Sequence, residues 1–332
     1  MTVKIKDVAA HAGVSVGTVS NVLNGRDTVS PDAAERVRAA IDTLGYVRND
    51  AARQLRAGRS RAIALIVLDV GNPFFAAVSR GAEARAAHDG LVVLLGSSGA
   101  DRDHERLYLD QFVEQRVAGI LLTRAQADGD VVARLAAAGI PLVLVDEQVG
   151  DHDVSTVSVD DVEGGYLAVA HLLARGRRRI AVVAGPLSTR QVADRLAGAR
   201  RAVAEVAGAT LEIIETDAMT VLAGRAAGER LREREDRPDA IFAANDLLAV
   251  GILQALTMLG DVHVPDDIAL VGYDDIDFAA AAVVPLTSVR QPAEALGFAA
   301  VDLLLRQLDG GLDPAERQVR FRPELVVRAS SG

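Results

Sequence analysis

Short, uninterrupted apolar segments recur through most of this 332-residue chain and alternate with amphipathic helical segments. From residue 61 onward a first series reads AIALIVL, LVVLLG, AGILLT and PLVLV, and a second reads RIAVVAG, LEIIET, AIFAAN and IALVGYDD. Strands covered on both faces are apolar throughout rather than alternating, which is typical of parallel sheets between layers of helices. The strands of such sheets are joined by right-handed crossovers. The two series therefore predict two lobes, each a doubly wound parallel sheet.

The first sixty residues follow a different, helical pattern. Apolar residues spaced three and four positions apart predict a first helix: Ile5, Val8, Ala9 and Ala12. Gly13 ends that helix, and Ser15 is placed to cap a second helix that begins near Val16. Two short helices joined by a tight turn form a helix-turn-helix, whose second helix lies in the major groove of DNA.

A third helix is predicted behind this pair, with Ser30 as its N-cap, Pro31 at its first position and Gly45 at its end. Asn49 can then cap a short segment over 50–57, which has too few apolar residues to hold a helix alone. We expect this segment to fold only against another surface, and DNA together with a partner chain is a candidate.

The charges are distributed unevenly along the chain. The whole sequence has 36 basic and 46 acidic side chains, a formal net charge of −10. Residues 1–61 hold ten basic and six acidic side chains, whereas the remainder holds 26 basic and 40 acidic. A basic head on an acidic body is typical of an anion-binding module attached to a separate domain, although a short solvated segment also shows such imbalance.

Several classes of protein find no support in the sequence. There are no cysteines, so disulfides and thiolate sites are excluded and a reducing cytoplasm is expected. Apolar runs stay below ~18 residues and the N-terminus lacks an apolar signal core, so we predict neither a membrane span nor export. The chain has neither a phosphate-binding nor a dinucleotide-binding glycine motif, and its six histidines lack metal-ligand spacing. We therefore predict no cofactor, no metal and no enzyme.

The segments IKDVAAHAGVSVGTVSNVLNG and VSPDAAERVRAAIDTLGYVRNDAARQLRAG resemble the headpiece of the LacI/GalR family of bacterial transcription regulators. The resemblance implies a helix-turn-helix headpiece over 1–47, a hinge helix and linker over 48–60, and an effector-binding and dimerisation domain over 61–332. That domain would have the two-lobed fold of periplasmic binding proteins. Its first lobe would span about 61–158 plus 292–321 and its second about 159–291 plus 322–330.

The same resemblance assigns roles in DNA binding. Val16, Gly17 and Asn21 occupy base-reading positions, and Thr18 and Ser20 reach phosphates. Leu55 would insert into the minor groove and kink the duplex at a central CG step, as an apolar wedge does at a flexible pyrimidine-purine step. The full predicted set is Lys4, Ser15, Val16, Gly17, Thr18, Ser20, Asn21, Asn24, Asn49 and Leu55.

The effector site is predicted at the strand ends. Open parallel sheets bind ligands beyond the carboxyl ends of their strands. Aromatic and polar side chains fall there: Asn72, Phe74, Phe75, Asp146, Asn245, Asp246, Asp274 and Asp275.

The body of the chain also resembles the LacI-family regulatory domain and the periplasmic monosaccharide-binding proteins. By that resemblance the ligand contacts include Asn72, Phe74 and Phe75 of NPFF, Arg195 of RLAG, Asn245 of AND, Asp274 of GYDD and Gln291 of RQP. Met219 lies near the position where sugar-binding members often carry a second aromatic residue. The full predicted effector set has nine residues: Asn72, Phe74, Phe75, Asp146, Arg195, Met219, Asn245, Asp274 and Gln291.

These residues also have structural interpretations. Phe74 or Phe75 would pack the lobe, and Arg195 would pair with Asp194 or Glu205 on its own helix surface. Asp246 is expected to cap the helix that follows it, and Asp160 or Asp161 to do likewise. The adjacent carboxylates Asp274 and Asp275 are expected to point in different directions, so they do not form a catalytic pair.

The resemblance implies a cytoplasmic repressor of carbohydrate-use genes. We expect a homodimer on an imperfectly palindromic operator, because one headpiece covers only a half-site. The absence of a trailing leucine heptad favours a dimer over a tetramer. A monosaccharide, ribose-like or otherwise, would shift the lobes between two arrangements and act as inducer or corepressor. The alternatives are a regulator that senses a purine or other non-sugar metabolite, a solute-binding protein and, least favoured, an enzyme on a doubly wound fold.

Overall fold

The computed structural model describes residues 3–25, 28–46, 60–125, 130–148, 154–258 and 261–332. The chain separates into two compact units, residues 1–60 and 61–332. The predicted hinge segment, with Asn49 and Leu55, lies outside the described residues.

The first unit packs three helices around a small core. Val8, Val19 and Val37, one from each helix, are completely buried at its centre. Its described helices are α1 (Ile5–Ala12), α2 (Val16–Leu23) and α3 (Pro31–Leu44).

The predicted ends of these helices are confirmed. Gly13 and Gly45 end α1 and α3 in the left-handed conformation that glycine adopts without strain. Ser15 and Ser30 cap α2 and α3 by accepting hydrogen bonds from the amides of Thr18 and Ala33.

The second unit contains twelve strands among its described residues. In chain order its first elements are β1 (Ala62–Val67), α4 (Pro73–His88), β2 (Val92–Ser97), α5 (Arg102–Glu114), β3 (Ile120–Leu122), α6 (Asp130–Ala137), β4 (Leu142–Val145) and β5 (Ser155–Val159). They are followed by α7 (Asp161–Ala174), β6 (Arg179–Ala184), α8 (Arg190–Ala204), β7 (Thr210–Glu215), α9 (Val221–Arg232), β8 (Ala240–Ala243), α10 (Asp246–Thr257), β9 (Ala269–Asp274), α11 (Asp277–Ala281), β10 (Thr287–Arg290), α12 (Ala293–Leu308), β11 (Gln318–Phe321) and β12 (Glu324–Val326).

These strands form two six-stranded sheets. The first has the order β11-β5-β4-β3-β1-β2, and all its neighbouring strands are parallel. The second has the order β12-β10-β9-β8-β6-β7, and only its edge strand β12 runs antiparallel. The predicted pair of doubly wound parallel sheets is confirmed, with this one antiparallel edge.

The chain passes between the two lobes three times. It leaves the first sheet after β5, returns after β10 and leaves again after β11. The carboxyl ends of β1 and β4 in one sheet and of β6, β8 and β9 in the other supply residues to a single cavity.

No helix in the described part of the chain is both long and apolar enough to cross a bilayer.

Candidate functional site

The N-terminal end of α2 presents small and polar groups to solvent. Ser15 lies just before the helix, and its hydroxyl oxygen is 3.0 Å from the amide nitrogen of Thr18 and 2.9 Å from the hydroxyl oxygen of Thr18. Val16 and Gly17 follow and are exposed. An α-helix N-terminus with an exposed first turn fits the close approach that base edges and phosphates require.

The other predicted DNA-binding residues lie on the same unit. Lys4 and Asn24 are exposed, and Thr18, Ser20 and Asn21 are half-buried. Opposite them Val19 is fully buried in the core, so α2 is held by its apolar face. Arg36 of α3 donates to the carbonyl oxygen of Ala12 at 3.1 Å, which joins α3 to the end of α1 and supports the turn before α2.

In the second unit, eight of the nine predicted effector residues line one cavity of about 370 Å³ between the lobes. They are Asn72, Phe74, Phe75, Asp146, Arg195, Met219, Asn245 and Asp274. This volume is at the small end of the range of about 300–1,000 Å³ for small-molecule pockets. The ninth residue, Gln291, lines a neighbouring groove and donates to Asp274 Oδ1 at 2.8 Å.

One side of the cavity is apolar. The rings of Phe74 and Phe75 meet edge to face with centroids 5.1 Å apart. Both belong to the core of the first lobe and also line the cavity, so the packing and ligand-contact interpretations coexist. Met219 also lines the cavity, and a Cβ atom at Gly185 would lie 2.5 Å from Met219 Cγ.

Arg195 is held rigidly at the polar side. Its Nε donates to Asp161 Oδ1 at 2.7 Å, one Nη donates to the carbonyl oxygen of Ala244 at 2.7 Å, and the guanidinium lies 3.8 Å from the ring centroid of Tyr273. The Tyr273 hydroxyl donates to the same Asp161 oxygen at 2.9 Å. The alternative of a surface pair with Asp194 or Glu205 is wrong, because Arg195 is 4 % exposed.

Close helix packing fixes the backbone beneath Arg195. A Cβ atom at Gly165 in α7 would lie 1.9 Å from the carbonyl oxygen of Arg195 in α8. A Cβ atom at Gly198 in α8 would lie equally close to the carbonyl oxygen of Val162. Because real Cβ atoms do not approach so closely, the two glycines set the position of α8 and of the arginine that it carries.

Two predicted carboxylates occupy strained backbone positions. Asp146, after β4, has φ 58°, and Asp274, at the end of β9, has φ 105°. Such angles are uncommon for residues with a side chain, and they cluster at functional sites. Asp146 receives hydrogen bonds from Gln191 Nε2 at its carbonyl oxygen (2.6 Å) and at Oδ2 (3.3 Å), while its buried Oδ1 has no partner in the described part of the chain.

Burial governs the protonation of these carboxylates. It raises the pKa of Asp274 to about 6, opposed by the charge of Arg195 and by hydrogen bonds from Gln291 and Asn72. Burial and the nearby charge of Asp161 raise the pKa of Asp146 well above its usual range. Burial disfavours the charge of Arg195, but the surrounding carboxylates outweigh it and raise its pKa. Arg195 is therefore a permanent cation.

The expected caps are only partly correct. Asp160 caps α7 by accepting from the amide of Glu163 at 3.0 Å, whereas Asp161 points into the buried network. The assignment of Asp246 as a cap is wrong. Asn245 caps α10 through Leu248 N, and Asp246 instead accepts from Ile276 N at 2.9 Å and from the hydroxyl of Ser288 at 2.7 Å.

Asp274 and its neighbour Asp275 have different partners, as expected. Asp274 contacts Gln291, whereas Asp275 pairs with Arg290 at 2.8 Å and with Arg328 at 2.6 Å. No group of three or more histidine and acidic residues within the described ranges is arranged to hold a metal ion.

Sequence reasoning missed several groups at the cavity. Gln191, Thr189 and Thr220 line it, and Asp161 and Tyr273 form the support of Arg195. Gln191 could have been predicted from the RQVADRLAG segment, because it lies one helical turn before Arg195 and therefore on the same helix face.

Comparison with known proteins decides the family. The family model "Bacterial regulatory proteins, lacI family" matches residues 4–49, and the "Periplasmic binding protein-like domain" model matches residues 169–331. The HTH-type transcriptional repressor PurR of Photobacterium profundum is 35% identical over 332 residues, which are 98% of each chain. The chain belongs to the LacI family.

Solved structures of LacI-family proteins resemble the chain over its whole length. A complex of the transcriptional regulator CelR with cellobiose is 35% identical, covers 99% of each chain and has a TM-score of 0.73. A lac repressor dimer bound to operator and the anti-inducer ONPF is 29% identical, covers 100% of this chain and 99% of its own, and has a TM-score of 0.84. This LacI-family member is a DNA-binding transcription regulator and not an enzyme.

Proposed function

We propose that the protein is a homodimeric repressor of carbohydrate-use genes that acts in the cytoplasm and whose operator affinity is changed by a small sugar bound between the lobes. The observation that carries this proposal is the composition of the cavity. It combines two aromatic rings with fixed carboxylate, amide and guanidinium groups. Aromatic faces stack on a sugar ring, and polar groups of both signs match hydroxyls, which donate and accept.

The cavity wall comes from both lobes, which supports a mechanism of lobe rearrangement. Asn72 and Asp146 belong to the first lobe, whereas Arg195, Asn245 and Asp274 belong to the second. Gln191 already joins the lobes by its hydrogen bond to Asp146. A ligand held by both walls favours the arrangement in which both reach it, and this difference in affinity shifts the population of headpiece arrangements.

In the proposed DNA complex, two headpieces read the halves of an imperfect palindrome with a central CG step. Val16, Gly17 and Asn21 face bases, Lys4, Thr18 and Ser20 contact phosphates, and Leu55 enters the minor groove. Ser15, Asn24 and Asn49 complete the interface. The exposed first turn of α2 supports this assignment.

A second candidate effector is a purine. The amides of Asn72 and Gln191 beside Phe74 and Phe75 suit the polar edge and flat face of a base as well. The function proposed above predicts that sugars, rather than purines, change operator binding.

The test is fluorescence anisotropy with labelled DNA from the upstream region of the gene, at two salt concentrations. Ribose, glucose, cellobiose, adenine and hypoxanthine are added in turn. Specific binding should weaken steeply with salt, because phosphate contacts release counterions. A sugar that changes the affinity supports the proposal and gives the sign of the effect. Specific binding that responds only to a purine would replace it with the second candidate.

A further inference from the structure

We infer that the cavity selects an uncharged, hydroxyl-bearing ligand and rejects phosphorylated or carboxylated sugars. This inference rests on the proposed function as a sugar sensor, and it adds the charge class of the sugar.

The first argument is the balance of charge on the cavity wall. Asp69, Asp146, Asp217 and Asp274 line it, whereas Arg195 is the only cationic side chain lining it among the described residues. Asp274 is 7 % exposed, so water screens its charge poorly, whereas Asp146 adds less charge because burial raises its pKa further. An anionic ligand would add a like charge to this wall.

The second argument is that Arg195 is already engaged. Its Nε donates a hydrogen bond to Asp161, and one Nη donates to the carbonyl oxygen of Ala244. One face of the guanidinium lies against the ring of Tyr273. A guanidinium that recognises phosphate does so with two parallel N–H donors and an uncompensated charge. Asp161 cancels that charge from behind, so Arg195 keeps donors for a hydroxyl but little attraction for an anion.

Helix N-termini at the cavity carry partial positive charge and would favour an anionic ligand. Their strength can be compared with that of the carboxylates. The capping residues of α4, α8, α9 and α10 line the cavity: Asn72, Thr189, Thr220 and Asn245. Each helix end is equivalent to about half an elementary charge and falls off within one turn. Three of these ends are already capped by side-chain oxygens, of Asn72, Thr220 and Asn245. Of the four helix ends only that of α8, at Thr189, lacks a side-chain cap, and its half charge is smaller than the full charge of one ionised carboxylate.

The acceptors that remain match hydroxyl hydrogens. Asp146 Oδ1 is buried and accepts from no group of the described chain. Asp274 is hydrogen-bonded by Gln291 and Asn72, and its two carboxylate oxygens still have further acceptor sites. Two carboxylates from opposite lobes are suited to receive two hydroxyls of one ligand, each bond being charge-assisted while the carboxylate is ionised.

The test uses matched pairs of ligands on the full-length protein: ribose with ribose 5-phosphate, and glucose with glucose 6-phosphate. Isothermal titration calorimetry at pH 7.5 measures each Kd. Since like charges brought together cost several kcal/mol and each 1.4 kcal/mol is tenfold, the phosphate should bind at least about 100-fold more weakly than its neutral partner. A phosphate that binds as tightly as its partner, or alone, overturns the inference while the sugar-sensor function stands. A response to adenine or hypoxanthine with no binding in either pair overturns both.

Two variants separate charge from shape. Asp274→Asn keeps an oxygen for Gln291 Nε2 but removes the charge. The Kd of the phosphorylated sugar divided by the Kd of its neutral partner should therefore fall at least tenfold. The control is Asp236→Asn, which removes an acidic charge on the same lobe. Asp236 pairs with Arg234, is exposed and does not line the cavity, so the ratio should stay unchanged. An unchanged ratio in a folded Asp274→Asn protein shows that this carboxylate does not exclude anions and contradicts the inference.

Discussion

Replacing Arg195 by alanine tests the buried network most directly. The change removes the cation that faces Asp161, Asp146 and Asp274 and leaves these carboxylates buried without it. Removing one partner of a buried ion pair costs roughly 3–5 kcal/mol, because the remaining charge is uncompensated. At roughly 2 °C per kcal/mol for a domain of this size, the melting temperature should fall by about 6–10 °C.

The cost should depend on pH. Without Arg195 the folded-state pKa values of the three carboxyl groups rise further above the unfolded value of about 3.9. Folding then takes up protons, so the variant gains stability relative to the wild type as the pH falls from 8 to 5.5. The difference between the two proteins should therefore be largest at pH 8.

The matched control is Arg190→Ala on the same helix. Arg190 pairs with Asp194 at 3.2 Å, but 48 % of its side chain is exposed, so its loss should cost less than about 1 kcal/mol. Thermal unfolding followed by circular dichroism at pH 8 and 5.5 measures all three proteins, and calorimetry measures their sugar binding. Arg195→Ala should lose the sugar response and keep operator binding. Equal stability losses in the two variants, or a loss independent of pH, would refute the reasoning.

Three further predictions concern recognition. Asn21→Ala should weaken operator binding roughly 10- to 100-fold if its amide reads a base, and anisotropy should show discrimination lost at one base pair of each half-site; a uniform loss on all sequences would contradict base reading. Leu55→Ala should weaken operator binding while the melting of the 61–332 unit is unchanged, and an unchanged operator affinity would remove the wedge. Sugar affinity should fall as the pH drops below about 6, because Asp274, which shares its surroundings with Arg195, Asp146 and Asp161, takes up a proton and becomes a weaker acceptor. Affinity that rises over this range would indicate an anionic ligand instead.

Local signals were enough for the headpiece. Gly13, Ser15, Ser30 and Gly45 each act on their own helix end, so their roles can be predicted from a few neighbouring residues. The same holds for the continuous apolar strands. The antiparallel direction of β12 depends on where the chain returns after its last passage between lobes, and no local pattern records it.

Long-range pairs were harder to predict. Asp161 and Tyr273 are separated by 112 positions, and the fold alone brings their oxygens within 2.9 Å. Asp246 was misassigned because a carboxylate at the start of a helix looks like a cap, whereas the preceding Asn245 takes that place. The strand-end rule nonetheless selected residues that meet at one cavity, because parallel strands end at a common edge.

The left-handed backbone at Asp146 and Asp274 places effector binding and protein stability in conflict. Glycine adopts such angles at least cost, so glycine at either position would relax the backbone and remove a buried charge. It would also delete an acceptor proposed for the effector. The substitutions that most readily raise the melting temperature of this regulator are therefore at positions where they would also abolish its response to the effector.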